Sequence, residues 1–408
     1  MHKNKINNIF VGFIFLFFSD YFSYTNLNSE VHALLTQVGV SLLILYLLIH
    51  RKKIQQKSVK HESARFVLII CIIAIFTAVP CYITYGQSFY QSLAQSKLLS
   101  NLVLLVYFFL VLKEVDTRFL IRFLVICALA RTGITLIEQF TYPNAPFTYI
   151  HGNYDEFGRW NDIGSRSGIY RFLIADAVYL PLFGAFYYYD KLTKSMSPKY
   201  VLAFFVMLLG MFLDQSRQIM GTFILSIIIG SLLNSNKKIL ALFIFASVLV
   251  LILSNSLFDD LYTATAEDLD NEDYTRFLEY AYFSKFDNVI TAFFGHGFPG
   301  GNSAYAALVE SDHDMWFFTE DVGIVGAMYR LGYLFILVFL FYVAKVLRYW
   351  SRFDLYLKLM TLCLIIDSPM IFLLFNFTVP CCEVFMAIII YLIDSNIYKI
   401  KVCENKVP

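Results

Sequence analysis

The chain has 408 residues, 58% of them hydrophobic and only 15% charged, with 42 Phe, 28 Tyr and a mean hydropathy of +0.62. That is more apolar surface than a water-soluble core hides, and it falls in runs of about 20 residues, the length that crosses a bilayer. A formal net charge of +1 gives no basic surface for nucleic acid, and seven cysteines without C-x-x-C or Cys/His spacing exclude a disulfide framework or zinc site.

The first apolar run, "IFVGFIFLFF", passes into "SDYFSYTNLN" without a small-residue cleavage site, so it reads as a span rather than a cleaved leader. With it, twelve spans are predicted, centred near Phe15, Ser41, Ile75, Val106, Ala128, Leu180, Met207, Ile227, Ala246, Phe335, Ile366 and Ile388. The expected fold is all-α: one polytopic membrane domain over residues 1–408. With a cytoplasmic N-terminus, the inside segments from "MHKNK" to "KIKVCENK" hold 23 of the 32 Lys and Arg residues, which places both termini in the cytoplasm. Lysine leads arginine seventeen to six inside, whereas arginine leads seven to two elsewhere. Lysine suffices as a topogenic charge, while the arginine fork suits bidentate contact with phosphate or carboxylate, so the outer face reads as built to hold an anion.

Two outside loops are long, 140–168 and 255–318. Arg166 and Arg171 flank the outer end of the sixth span, either as boundary anchors or as contacts to an anion or sugar. In the larger loop, "DNEDYTRFLEYAYFSKFDNVITAFFG" predicts an amphipathic surface helix with Phe277, Ala281 and Ile290 on one face, followed by a tight turn in "GHGFPGGN". Charges inside the spans need partners, and Arg131 with Asp176 and Arg330 with Asp367 are the predicted pairs. Bland pairings are also open to Arg217 with Asp214 and to Arg276 with Glu279.

Four features share the outer side: "DQSRQ" between the seventh and eighth spans, Arg276, "FFGHGFPGG", and His313 ten residues before "GIVG". In "SRQIMGTFIL", in the spacing of Arg276 to "GHG", in the His before "GIVG" and in its topology, the chain resembles the O-antigen polymerase and O-antigen ligase superfamily of bacterial membrane glycosyltransferases. Asp314 stands where ligases usually carry Asn, Ser or Gln after the histidine, which favours a polymerase.

The resemblance implies joining of undecaprenyl-pyrophosphate-linked oligosaccharides at the periplasmic face of the inner membrane, without metal or cofactor. It also suggests a chain-length-regulating partner, beside contact with membrane lipid. A ligase that moves the glycan to lipid A core and a polysaccharide flippase are the rival readings. Arg217 and Arg276 would stabilise the leaving pyrophosphate, and His313, or a carboxylate among Asp312, Asp314 and Glu320, would position or deprotonate the acceptor hydroxyl. "DHD" also mimics a D-x-D metal motif, but no nucleotide donor is expected outside, so no metal is assigned.

The charge partition has a direct test. Cysteines introduced at Ser256 and Asn302 should react with a membrane-impermeant thiol reagent in intact cells, and one at Ser58 should not; labelling at Ser58 would reverse the orientation.

Overall fold

In the computed structural model the described residues are 11–12, 14–16, 29–95, 102–142, 165–166, 169–170, 179–214, 216–233, 275–300, 303–311, 317–372 and 380–404. The span expected near Ala246, most of the one near Phe15, most of the 140–168 loop and the 255–274 part of the larger loop lie outside them.

Helices α1 (Ser29–Ile49), α2 (Arg51–Ser58), α3 (Ser63–Phe76), α4 (Ala78–Tyr85), α5 (Phe89–Gln95), α6 (Leu102–Lys113) and α7 (Thr117–Thr141) build the first half. A two-residue antiparallel pairing of β1 (Ser165–Arg166) with β2 (Ile169–Tyr170) precedes α8 (Tyr179–Lys194), α9 (Pro198–Leu213) and α10 (Arg217–Leu233). Then come α11 (Thr275–Phe283), α12 (Val289–Phe294), α13 (Ala304–Ser311), a 3-10 turn at Thr319–Val322, α14 (Gly323–Trp350), α15 (Leu355–Asp367) and α16 (Pro380–Glu404).

Among the described residues, four helices are long and apolar enough to cross a membrane: Ser63–Tyr85, which joins α3 to α4, and those at Thr117–Thr141, Gly323–Trp350 and Cys381–Cys403. Four shorter apolar helices lie at Gln37–Ile49, Leu102–Lys113, Pro198–Leu213 and Gln218–Leu233. The span expected around Ile366 ends as a helix at Asp367, because Pro369 two residues on has no N–H to continue the ladder.

The centre of the bundle is α16, 83% of whose apolar window is buried. It packs on α6 and carries two buried carboxylates that meet the free N–H groups of other helices. Asp394 accepts from the Ser63 N–H (2.9 Å) and hydroxyl (2.8 Å) at the start of α3, and from the Tyr107 hydroxyl; Glu383 accepts from the Leu102 N–H (3.0 Å) opening α6. A helix N-terminus in apolar surroundings exposes unsatisfied donors and a partial positive charge, so a carboxylate there answers both.

The predicted surface helix is two helices. The capping box of Asn288 and Thr291 restarts the chain as α12 after α11 ends at Phe283. Phe277, Ala281 and Ile290 are exposed, while Glu279 and Phe283 point inward, Phe283 into a second core with Cys81, Tyr305, Phe317, Val322 and Tyr329. The Phe318 N–H donates to the inward Glu279 carboxylate at 2.9 Å.

One break shapes this side of the molecule. Gly332, inside α14, has φ +76° and ψ 177°, which frees the carbonyls of the preceding turn. The His296 N–H donates to the Tyr329 carbonyl (2.8 Å) and the Gly297 N–H to that of Arg330 (3.0 Å), so "GHG" closes the opened turn. The two backbones are too close for side chains: a Cβ on Gly332 would sit 2.3 Å from the Phe293 oxygen. Gly332→Ala should therefore destabilise the detergent-solubilised protein by more than about 2 kcal/mol, since a left-handed residue with Cβ and a backbone clash add. Gly133→Ala in α7, where a Cβ meets nothing within 4 Å, should leave the melting temperature unchanged or raise it.

Candidate functional site

Three successive residues at the end of α15 collect the elements that carry the motif residues. Asp367, 1% exposed, accepts from the Gln218 side-chain amide (2.5 Å) and from the Tyr179 hydroxyl (2.9 Å). The Ser368 carbonyl accepts from the Ile324 N–H (2.7 Å), and the Pro369 carbonyl from the Tyr280 hydroxyl (2.6 Å). Thus the "DQSRQ" turn, the "GIVG" start of α14 and helix α11 meet on one clasp. Glycine makes the middle contact possible: a Cβ on Gly323 would lie 2.4 Å from the Ser368 oxygen, and one on Gly326 would run into the Thr319 carbonyl.

Arg217 opens α10, next to Gln218; only its backbone is described. Asp214, three residues before it, meets Arg131. Two oxygens of Asp214 each lie 2.7 Å from Nη1 of Arg131, and both side chains are buried. Asp176, the partner expected for Arg131, lies outside the described residues. A buried guanidinium is tolerated when a carboxylate meets it directly, and Asp214 ends α9 against α7. Arg330 does not pair with Asp367: its guanidinium stands 5.2 Å over the Phe298 ring, and Asp367 has its two neutral donors instead. The turn bearing Arg217 is therefore held on both sides, by Arg131 through Asp214 and by Asp367 through Gln218.

Arg276 lies half-buried in the first turn of α11, and its expected partner Glu279 turns inward to Phe318 instead. Tyr280, one turn on, has its phenol pKa raised by burial, with Arg276 opposing and Glu279 adding to the rise. Arg166 belongs to β1 and Glu320 to the 3-10 turn before α14, both as backbone. Arg171, Asp312, His313 and Asp314 lie outside the described residues. The structure thus brings the elements of Arg217, Arg276 and Glu320 to one clasp.

A second cluster was missed by sequence reasoning, although its histidine stands inside the quoted "GHG". His296 is 1% exposed, stacked 4.0 Å from Tyr329 and 5.5 Å from Phe286. Its Nδ1 donates to the Tyr329 carbonyl at 3.3 Å, and Nε2 lies 3.3 Å from Oδ2 of Asp287, which also accepts from the Tyr85 hydroxyl at 2.9 Å. Tyr85 stacks face to face on Tyr305 at 3.9 Å. The signal available in sequence was the pair of glycines: Gly295 and Gly297 have φ of +81° and +77°, a backbone that marks close approach to another chain segment. No group of three or more His, Cys, Asp or Glu side chains able to hold a metal occurs among the described residues.

No protein-family model, curated protein or solved structure matches this chain.

Burial pushes the His296 pKa down, against the opposing pull of Asp287 and the Tyr329 carbonyl. A folded pKa below the unfolded one means that the unfolded chain binds more protons, so this stability is present above about pH 6.5 and is lost as pH falls toward the folded value. The melting temperature should fall between pH 7 and pH 5. His296→Phe, which keeps the ring stack, should make that fall shallower; an unchanged slope would show that His296 does not titrate there.

Proposed function

We propose that the protein is a membrane glycosyltransferase that polymerises undecaprenyl-pyrophosphate-linked oligosaccharide repeats at the periplasmic face of a bacterial inner membrane. The observation that supports this reading is the clasp at Asp367, Ser368 and Pro369, onto which the Arg217 turn, the Arg276 helix and the start of α14 converge. Two arginines on elements joined at one bundle end suit a substrate whose leaving group is an anion at a membrane boundary.

In this reaction the bond between the donor sugar C1 and its pyrophosphate oxygen breaks, and C1 bonds to a hydroxyl oxygen of the acceptor repeat. Arg217 and Arg276 meet the charge that grows on the pyrophosphate, where charge-assisted and bidentate hydrogen bonds in a poorly hydrated site are strong. Arg166 and Arg171 extend the anion and sugar contacts. The acceptor proton passes to His313, or to a carboxylate among Asp312, Asp314 and Glu320. The reading assigns no metal and no cofactor.

Purified protein given a lipid-linked repeat should yield a ladder of longer glycans. A single transfer to lipid A core would identify a ligase instead, and movement across the bilayer without new products would identify a flippase. Arg217→Lys should lose nearly as much polymer as Arg217→Ala, because lysine keeps the charge but not the fork. His313→Ala should lower the rate by about 100- to 10,000-fold, with expression and insertion normal. Full activity in both the Arg217→Lys and His313→Ala variants would sink the assignment of these residues.

A further inference from the structure

The exposed surface changes character where α12 begins. Ser284, Lys285, Asp287 and Asn288 are exposed and polar, whereas the next exposed side chains are Val289 (77%), Ile290 (45%), Phe293 (50%) and Phe294 (37%). Of the six residues of α12, only Thr291 is buried. An apolar surface of this kind marks contact with lipid or with another molecule.

The depth of α12 selects between them. It packs on two of the spanning helices, Ser63–Tyr85 through α4 and Gly323–Trp350, which run antiparallel with Phe66 stacked on Tyr342 at 3.9 Å toward their other end. Each records how far the segment descends. The Phe293 carbonyl lies against Gly332 of one, and a Cβ on Gly297 would stand 3.0 Å from the Thr77 carbonyl oxygen and 3.1 Å from the Cys81 Cβ of the other. With a rise of about 1.5 Å per residue and each span centred on a hydrocarbon layer of about 30 Å, Gly332 lies about 8 Å inside the nearer edge, and the Thr77–Cys81 turn about 5–10 Å inside it. Two helices thus give one depth.

The chain then climbs back to the level of the α4 end. Gln87, beyond that end, accepts from the Gly300 N–H and donates to the Phe298 carbonyl, both at 2.8 Å. At the bottom of the dip the Gly295, His296 and Gly297 N–H groups donate to the Thr291, Tyr329 and Arg330 carbonyls, as backbone within hydrocarbon requires. The spans extend the apolar surface, with Tyr82 and Ile83 exposed on one and Tyr333 and Leu337 on the other. The Tyr333 ring is 5.1 Å from that of Phe286, just ahead of α12.

We propose that α12 and the "GHG" turn form a re-entrant element in the leaflet at the Tyr85 end of the bundle. Val289, Ile290, Phe293 and Phe294 meet the acyl chains of bilayer lipid, and Lys285, Asp287 and Asn288 stand at the water boundary. The inference rests on the spanning helices and is independent of the reaction proposed above.

Spin labels test it in the full chain, reconstituted in phosphatidylethanolamine and phosphatidylglycerol vesicles, with exposed Cys403 replaced by Ser. Single cysteines at Ile290 and Phe293 carry the label, and Val289, the most exposed of the four, replaces either one that lowers the melting temperature. Relaxation by oxygen, which concentrates in lipid, is compared with relaxation by a water-soluble nickel chelate. Oxygen should dominate at these positions as it does at Leu340, 55% exposed within α14, and the oxygen-to-nickel ratio should be several-fold above that at Lys285. Dominant nickel relaxation would place α12 in water and overturn the proposal. Exclusion of both relaxants would overturn it too, because a second copy or another protein would then cover the helix.

Discussion

A helix turn opened in apolar surroundings must be closed by another part of the chain, because no water is at hand to take its carbonyls. The break of α14 at Gly332 is such a turn, and the "GHG" backbone closes it through the Tyr329 and Arg330 carbonyls. Much of the loop side follows from that pairing. It draws α12 against α14, fixes His296 between Tyr329 and Phe286, and so sets Asp287 beside Tyr85. Glycines at 295 and 332 are what allow the two backbones to run this close, while Gly297 faces Thr77 and Cys81.

The same rule governs the charged groups. Buried Asp394 and Glu383 answer the helix starts of α3 and α6, buried Asp214 answers Arg131, and buried Asp367 takes two neutral donors. Each joins helices distant in sequence, so burying a carboxylate here also fixes the relative placement of those helices. Removing one partner of such a pair costs far more than the pair contributes, since it strands the other in a poorly hydrated site. The "DQSRQ" turn shows the functional consequence. It is held through Asp214 on one side and Gln218 on the other, which fixes the backbone from which Arg217 starts; in the proposed reaction a fork that meets two anionic oxygens would gain from that.

The Arg276 helix and the 3-10 turn show how loop segments become part of this arrangement. Glu279 turns inward to the Phe318 N–H, and Tyr280 reaches the Pro369 carbonyl, so α11 is tied at neighbouring positions to the start of α14 and the end of α15. An amphipathic helix was legible from the "DNEDYTRFLEYAYFSKF" pattern, but its inward face was not. Phe277 and Ala281 face outward while Glu279 meets the Phe318 N–H, a contact between segments 39 residues apart that the local pattern does not encode.

Composition and the period of the apolar runs determined an all-helical membrane protein, and the order of "DQSRQ", Arg276, "GHG" and "GIVG" marked which segments to watch. Those features are local: run length, glycine spacing and residue type are all carried by the chain itself. Tertiary structure alone decided the partners. Asp367 was expected to meet Arg330 and instead meets Gln218 and Tyr179, and Arg131 meets Asp214; nothing in the spacing selects these partners, because a buried charge bonds to whichever group the packed helices bring within about 3 Å. His296 makes the point most sharply. In sequence it is a polar residue between two glycines; its burial, its ring stack and its nearness to Asp287 exist only because α14 breaks 36 residues later and needs a backbone to fill the gap.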